Sequence, residues 1–202
     1  MKRATWMAAI VAVLSGLAGQ AAGADDLSFI SGIDVAASCN DVWTNLTEFQ
    51  RLQKLVPHLH GTANIARANQ IGDTLFYTID KADGSKSTGK FVVTSLEPAY
   101  KIQVMVQPDE GPWLRVQEFT LYQKPQAKGE KGKASACHVD YEESFNQLAL
   151  KYSGYDASGI VKNLREPYMA IVLRRLKNLA EGKEAGPGDE VKKLAEVAKN
   201  FP

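Results

Sequence analysis

The chain has 202 residues, of which 45% are hydrophobic and 23% charged, with a formal net charge of +1. These are ordinary values for a globular protein and exclude collagen, a coiled coil, a disordered tail protein and a polytopic membrane protein. Lys2 and Arg3 account for two of the 24 basic residues, so the chain beyond them carries 22 against 23 acidic ones. Such a near-neutral chain has no electrostatic footprint for nucleic acid, and an apolar molecule or another protein is the expected partner.

The first 24 residues have the pattern of an export signal. Lys2 and Arg3 form a short basic start, Trp6 to Leu17 an apolar run, and Ala22-Gly23-Ala24 a small-residue cleavage site. The apolar run is short of the ~20 residues that span a bilayer, and Ser15 and Gly16 interrupt it. No Cys follows the cleavage site and no Arg pair precedes it, so neither a lipid anchor nor twin-arginine export is indicated. A periplasmic protein, not membrane-spanning after cleavage near Ala24, is expected. Residues 25–182 then form one domain, and 183–202 a linker with a short amphipathic C-terminal helix.

Phe29, Ile30, Ile33 and Val35 suit a first strand. Ser38 can cap a helix, with Asp41 favourable in its first turn, and Val42, Trp43, Leu46 and Phe49 give that helix one apolar face. Leu52, Leu55 and Val56 continue as a second short helix, which Pro57 ends. Six strands are predicted next, over 62–67, 74–79, 90–96, 101–107, 113–123 and 136–145. Turn residues separate most of them, so the connections are hairpins and the sheet an antiparallel meander. Apolar parity changes between Leu114/Val116 and Phe119/Leu121, which predicts a bulge near Gln117. The Lys- and Gly-rich stretch 124–134 reads as a solvated hairpin loop. A long helix over 160–180 carries Val161, Leu164, Tyr168, Ile171, Val172, Leu176 and Leu179, with Gly182 as its stop. Pro167 either starts that helix at its first turn or kinks a longer one. Val191, Leu194, Ala195 and Ala198 make an apolar stripe in the tail, suited to packing on the domain or folding on a partner.

This order, and the runs Ile33-Asp34-Val35-Ala36-Ala37-Ser38, Asp41-Val42-Trp43, Leu46-Thr47-Glu48-Phe49, Leu55-Val56-Pro57 and Leu173-Arg174-Arg175-Leu176-Lys177-Asn178-Leu179-Ala180, resemble the START-like superfamily of polyketide cyclases, pollen allergens and coenzyme Q-binding proteins. The resemblance covers roughly residues 29–181. It implies an α+β helix-grip fold, in which a curved antiparallel sheet of about seven strands wraps a long C-terminal helix, with two short helices after the first strand. It also implies a mostly apolar cavity between sheet and helix. Pro167, the extension beyond Gly182 and the single Gly after the second strand depart from the pattern.

The implied topology pairs the first strand with the last and brings together Cys39 and Cys137, the two cysteines of the chain. In an oxidising compartment a disulfide is expected. The candidate wall residues of the cavity are Tyr77, Phe91, Val93, Val104, Phe119 and Tyr141 from strands, and Leu164, Tyr168 and Val172 from the helix. Glu143 shares the parity of Val139, Tyr141 and Phe145. It is either an acid, base or polar anchor in the cavity, or a strand-end carboxylate in solvent or paired with an Arg such as Arg165 or Arg174. Tyr122 is a further hydroxyl candidate, whereas Trp43 and Trp113 read as packing residues. His58 and His60 lack a carboxylate or Cys at ligand spacing and read as loop histidines, and His138 is expected to face away from the cavity. Ser153-Gly154 reads as a loop into the last helix. No nucleophile elbow, phosphate loop or dinucleotide fingerprint occurs, so neither a metal nor a cofactor is expected. The resulting expectation is a binding protein for a lipid, isoprenoid quinone or polycyclic compound. The alternatives are an accessory protein docking on a periplasmic partner through 189–202, or a cyclase/dehydratase-type enzyme using Glu143 or a cavity Tyr.

Overall fold

Ser38 starts the helical part of the chain by a reciprocal cap. Its hydroxyl accepts the Asp41 amide while the Asp41 carboxylate accepts the Ser38 amide, which satisfies two donors that would otherwise be orphaned. The structure is a computed structural model and describes residues 27–63, 65–80, 84–111, 113–125, 136–146, 150, 154 and 156–186. The export signal, most of the 124–134 loop, Ser153 and the tail stripe expected from the sequence lie outside the described residues.

The elements are β1 (Leu27–Val35), α1 (Cys39–Thr47), α2 (Phe49–Leu55), β2 (Leu59–Thr62), β3 (Thr74–Asp80), β4 (Lys86–Glu97), β5 (Lys101–Pro108), β6 (Arg115–Gln123) and β7 (Cys137–Phe145). Then follow α3 (Ala157–Ile160), a π-helical turn (Val161–Arg165) and α4 (Glu166–Ala180), together one long C-terminal helix. The seven strands form one antiparallel sheet in the order β1-β7-β6-β5-β4-β3-β2. Hairpin connections place consecutive strands side by side, and only β1 crosses over to pair with β7. The predicted α+β helix-grip fold is therefore the observed one.

Two details differ from the expectation. The second strand occupies Leu59–Thr62, so of the described residues in the predicted stretch 62–67 only Thr62 is in a strand, and Arg67 makes an isolated bridge to Glu48. The bulge near Gln117 is absent. Pairing of β6 with both neighbours runs without a shift, and Gln117, Phe119 and Leu121 all face inward. The register shift lies in β4 between Val93 and Ser95. The extra residue there lets Val93 and Leu96, of opposite parity, both pack against the core.

Pro167 lies in the first turn of α4, as its second residue, within one longer helix. Its ring would crowd the carbonyl of Asn163 in a continuous α-helix, and the preceding turn widens so that the Glu166 amide reaches back five residues to Val161. α4 lies on the concave face and buries Met169, Val172, Leu173 and Leu176 against Val42, Trp43, Leu46 and the sheet. Its C-terminal end is fastened to the rest of the molecule through polar groups. Lys177 donates to the Asp34 carbonyl, Arg175 to the carbonyls of Lys54 and Leu55, and Glu181 accepts the Ala36 amide. Cys39 and Cys137 form the expected disulfide, with Cα atoms 5.0 Å apart. Among the described residues no helix is long and apolar enough to cross a membrane.

Candidate functional site

The core-facing row of the sheet changes chemistry along its length. On β7 the inward positions are Cys137, Val139, Tyr141, Glu143 and Phe145. On β6 they are Arg115, Gln117, Phe119 and Leu121, so the polar pair Arg115 and Gln117 lies beside Glu143. Gln117 is directly opposite Glu143, and Arg115 is its diagonal neighbour, within reach of a long side chain.

Glu143 is wholly buried. Its Oε2 accepts the Tyr141 hydroxyl at 2.8 Å, and Arg165 Nη2 donates to both carboxylate oxygens at 2.8 and 3.0 Å. Arg115 Nε lies 2.8 Å from Oε1 as an ion pair whose N–H is not aimed along the contact, and Gln117 donates a long bond of 3.4 Å. The pairing with Arg165 is one of the alternatives the sequence left open for Glu143. Arg165 is the last residue of the π-helical turn. The same guanidinium lies over the Tyr168 ring, 5.1 Å from its centre.

Burial sets the electrostatics of this cluster. Burial, and then the Glu143 carboxylate, push the Tyr141 phenol well above its usual pKa, so it stays a donor. Burial followed by the neighbouring Arg165 charge lowers the pKa of Arg115. Burial is the largest influence on Arg165 and opposes its charge, but the Glu143 carboxylate together with Tyr141 and Tyr168 outweighs it and holds Arg165 above the usual arginine value.

Above this cluster is a cavity of about 400 Å³ between the sheet and the helices. Phe91 and Val93 of β4, Ile102 and Val104 of β5 and Phe119 of β6 form its sheet wall. Leu46, Phe49, Leu52 and Leu55 close it from α1 and α2, and Tyr168, Met169 and Val172 from α4. Arg115, Gln117 and Arg165 make its polar end. Asp73 also reaches the wall, with its carboxylate engaged by the amides of Asn69 and Gln70.

Of the residues expected at the wall, the structure brings together Phe91, Val93, Val104, Phe119, Tyr168 and Val172. The other four lie elsewhere. Tyr77 packs on Leu59, Val106 and Phe91 in a second small cluster, its ring laid across β4 at Gly89. A Cβ at Gly89 would come within 2.6 Å of the Tyr77 hydroxyl and 2.4 Å of the Gln107 carbonyl, so this close approach requires glycine. Tyr141 is sandwiched between Phe29 and Phe119, behind the wall. Glu143 lies behind it too, as the counter-ion of two residues that do line it. Leu164, in the π-helical turn, is half-buried outside the lining. Tyr122 lies on the outer face, 44% exposed, against Tyr100 and His138. His138 is on the same outer face, bonded to Asp34 and Asp140, and His60 pairs with Asp80 in the open. Arg115 and Gln117 are the polar residues of the sheet wall that sequence reasoning missed, along with the apolar lining from Leu46, Phe49, Leu52, Leu55, Ile102 and Met169. The available signal is the parity of Arg115 and Gln117 with Phe119 and Leu121, which places them inside on an unshifted strand.

A curved antiparallel sheet gripping a long helix over an internal cavity defines the START-like, polyketide cyclase-like fold, and this chain has it. Solved structures that share it include a protein from Arthrobacter aurescens, with 14% identity and a TM-score of 0.56 over 80% of this chain and 91% of the other. The di-domain ARO/CYC StfQ of the steffimycin biosynthetic pathway has 19% identity and a TM-score of 0.56, over 78% of this chain and 52% of that one. DynU16, from the dynemicin biosynthetic locus, has 18% identity and a TM-score of 0.53, over 79% and 49% respectively. No protein-family model and no curated protein sequence matches the chain. At these identities the likeness is one of fold alone.

Proposed function

We propose that the chain is an exported binding protein that holds a hydrophobic small molecule, such as a lipid, an isoprenoid quinone or a polycyclic compound, between sheet and long helix. The cavity carries this reading. Its volume of about 400 Å³ lies within the range of small-molecule sites, and its wall is apolar except for Asp73 and the end formed by Arg115, Gln117 and Arg165. An apolar void of this size takes up an apolar guest more readily than water. A ten-carbon chain gains ~8 kcal/mol gross at ~0.8 kcal/mol per CH₂, which corresponds to micromolar affinity at best. The state of Glu143 favours binding over catalysis, because both its oxygens are already engaged by Tyr141 and Arg165. Export to the periplasm is supported by the basic and apolar start of the sequence together with the disulfide. N-terminal sequencing of the exported protein should begin at Asp25.

Val172 supplies the test of binding, because it is buried at the cavity wall on α4. Val172→Trp should fill the cavity and abolish uptake of a fluorescent fatty acid or quinone analogue, with the far-ultraviolet circular dichroism unchanged. If the unmodified protein ignores a broad panel of lipids and quinones, the binding reading fails.

A further inference from the structure

The polar end of the cavity has more positive charge than the protein itself balances. Arg115 and Arg165 both line it, and among the described residues Glu143 is the carboxylate within ion-pair distance of either. Two guanidinium groups against one carboxylate leave one positive charge over. Asp73 does not supply the balance: it precedes β3, three strands from β6 and so roughly 14 Å away in the sheet, and loop amides hold its carboxylate.

The donors tell the same story. A guanidinium has five N–H groups in a planar fork. The Nε of Arg165 is buried with no hydrogen-bond partner among the described residues, and the buried Nε of Arg115 has only its misaligned 2.8 Å contact with Glu143. Arg115 donates from Nη1 to the Trp113 carbonyl, and Arg165 from Nη2 to Glu143. Charged donors are rarely left so in a closed interior, because each has given up water without replacement. The two side chains keep 13% and 18% of their surface accessible, and both line the cavity.

We propose that the cavity ligand carries one carboxylate, which docks against Arg115 and Arg165 while its apolar body lies along Phe119, Val104 and Val172. This specifies the ligand class of the binding reading above and rests on it. A carboxylate supplies the single missing negative charge, and its two oxygens match the geometry of a guanidinium fork. The remaining wall makes no comparable provision for a second charge. At roughly 30 Å³ per water-sized group, the cavity holds about a dozen heavy atoms, the size of a medium-chain acid.

Three probes with a straight ten-carbon chain and different heads test this on the full chain, after removal of co-purified lipid. By titration calorimetry at neutral pH, decanoate should bind at least tenfold more tightly than 1-decanol, and decyltrimethylammonium should bind more weakly than either. Arg115→Met, which leaves the Arg165–Glu143 pair intact, should lose most of the preference for decanoate while binding 1-decanol within about threefold of the unmodified protein. Equal affinity for acid and alcohol, or a preference for the cation, overturns the carboxylate and leaves the binding reading standing. So does an Arg115→Met protein with an undiminished preference for the acid. Binding of none of the three, together with failure of the wider lipid panel, overturns both.

Discussion

Glu143 is the residue on which the interior electrostatics turn. With its charge removed, Arg115 and Arg165 would face each other in a closed interior with no counter-ion, and breaking a buried pair from one side costs ~3–5 kcal/mol. Glu143→Gln keeps the shape and should lower the unfolding free energy by that amount in guanidinium titration. A loss below ~1 kcal/mol would mean that the cluster is open to water. On the outer face, Asp34 and His138 give a weaker effect that depends on pH. Hydrogen bonds from Lys124 and His138 lower the Asp34 pKa from 3.8 to about 2, and the bond to Asp34 raises His138 above 6.5. The lowered acid contributes stability above about 3.8 that is lost as pH falls toward 2. The raised base contributes below 6.5, and that contribution is lost as pH rises through its folded value. Both contributions are complete between about pH 4 and 6.5. The melting temperature should decline slightly as pH rises past that window, and His138→Ala should remove this decline. The effect is small because solvent screens an exposed pair.

At the scale of elements, the places where the chain departs from regular geometry decide where the site lies. The β4 shift after Val93 lets Leu96 pack on the core, and the π-helical turn before Pro167 ends at Arg165, the partner of Glu143. A third departure, at His58, has a measurable cost. His58 is exposed between α2 and β2 with φ +60°, in the left-handed region that β-carbons disfavour. His58→Gly should relieve that conformation and, after glycine's greater loss of chain entropy, stabilise the protein by about 0.5 kcal/mol. A destabilised variant would show instead that the imidazole supports the turn.

Across the whole molecule, the disulfide joins the start of α1 to the start of β7 and closes a loop of 98 residues. The chain-entropy model gives ~4–5 kcal/mol for a loop of this length, as an upper figure. A Cys39→Ala, Cys137→Ala protein should lose up to that amount in denaturant titration. An unchanged midpoint would mean that the polar ties of α4 to β1 and α2 already hold the ends of the sheet together.

Periodicity and turn chemistry determined most of this architecture. Alternating apolar residues in β5 and β7, the Ser38 and Asp41 pair before Val42-Trp43, and the long apolar spacing of 161–179 each report on burial of one face, a local property that sequence records directly. Glu143 was legible as an inward residue for the same reason. The site's other polar half was not. Arg115 and Gln117 carry the right parity, yet single-residue chemistry argues that an Arg or Gln faces water, and only a partner 26 to 28 positions along the chain reverses that preference. Whether Tyr77 and Tyr141 would line the cavity or stand behind its wall was equally undetermined, because both positions are buried and have the same pattern. Sheet curvature and the packing of neighbouring rings made that choice. Parity reports which face a residue is on, and tertiary structure alone decides what that face meets.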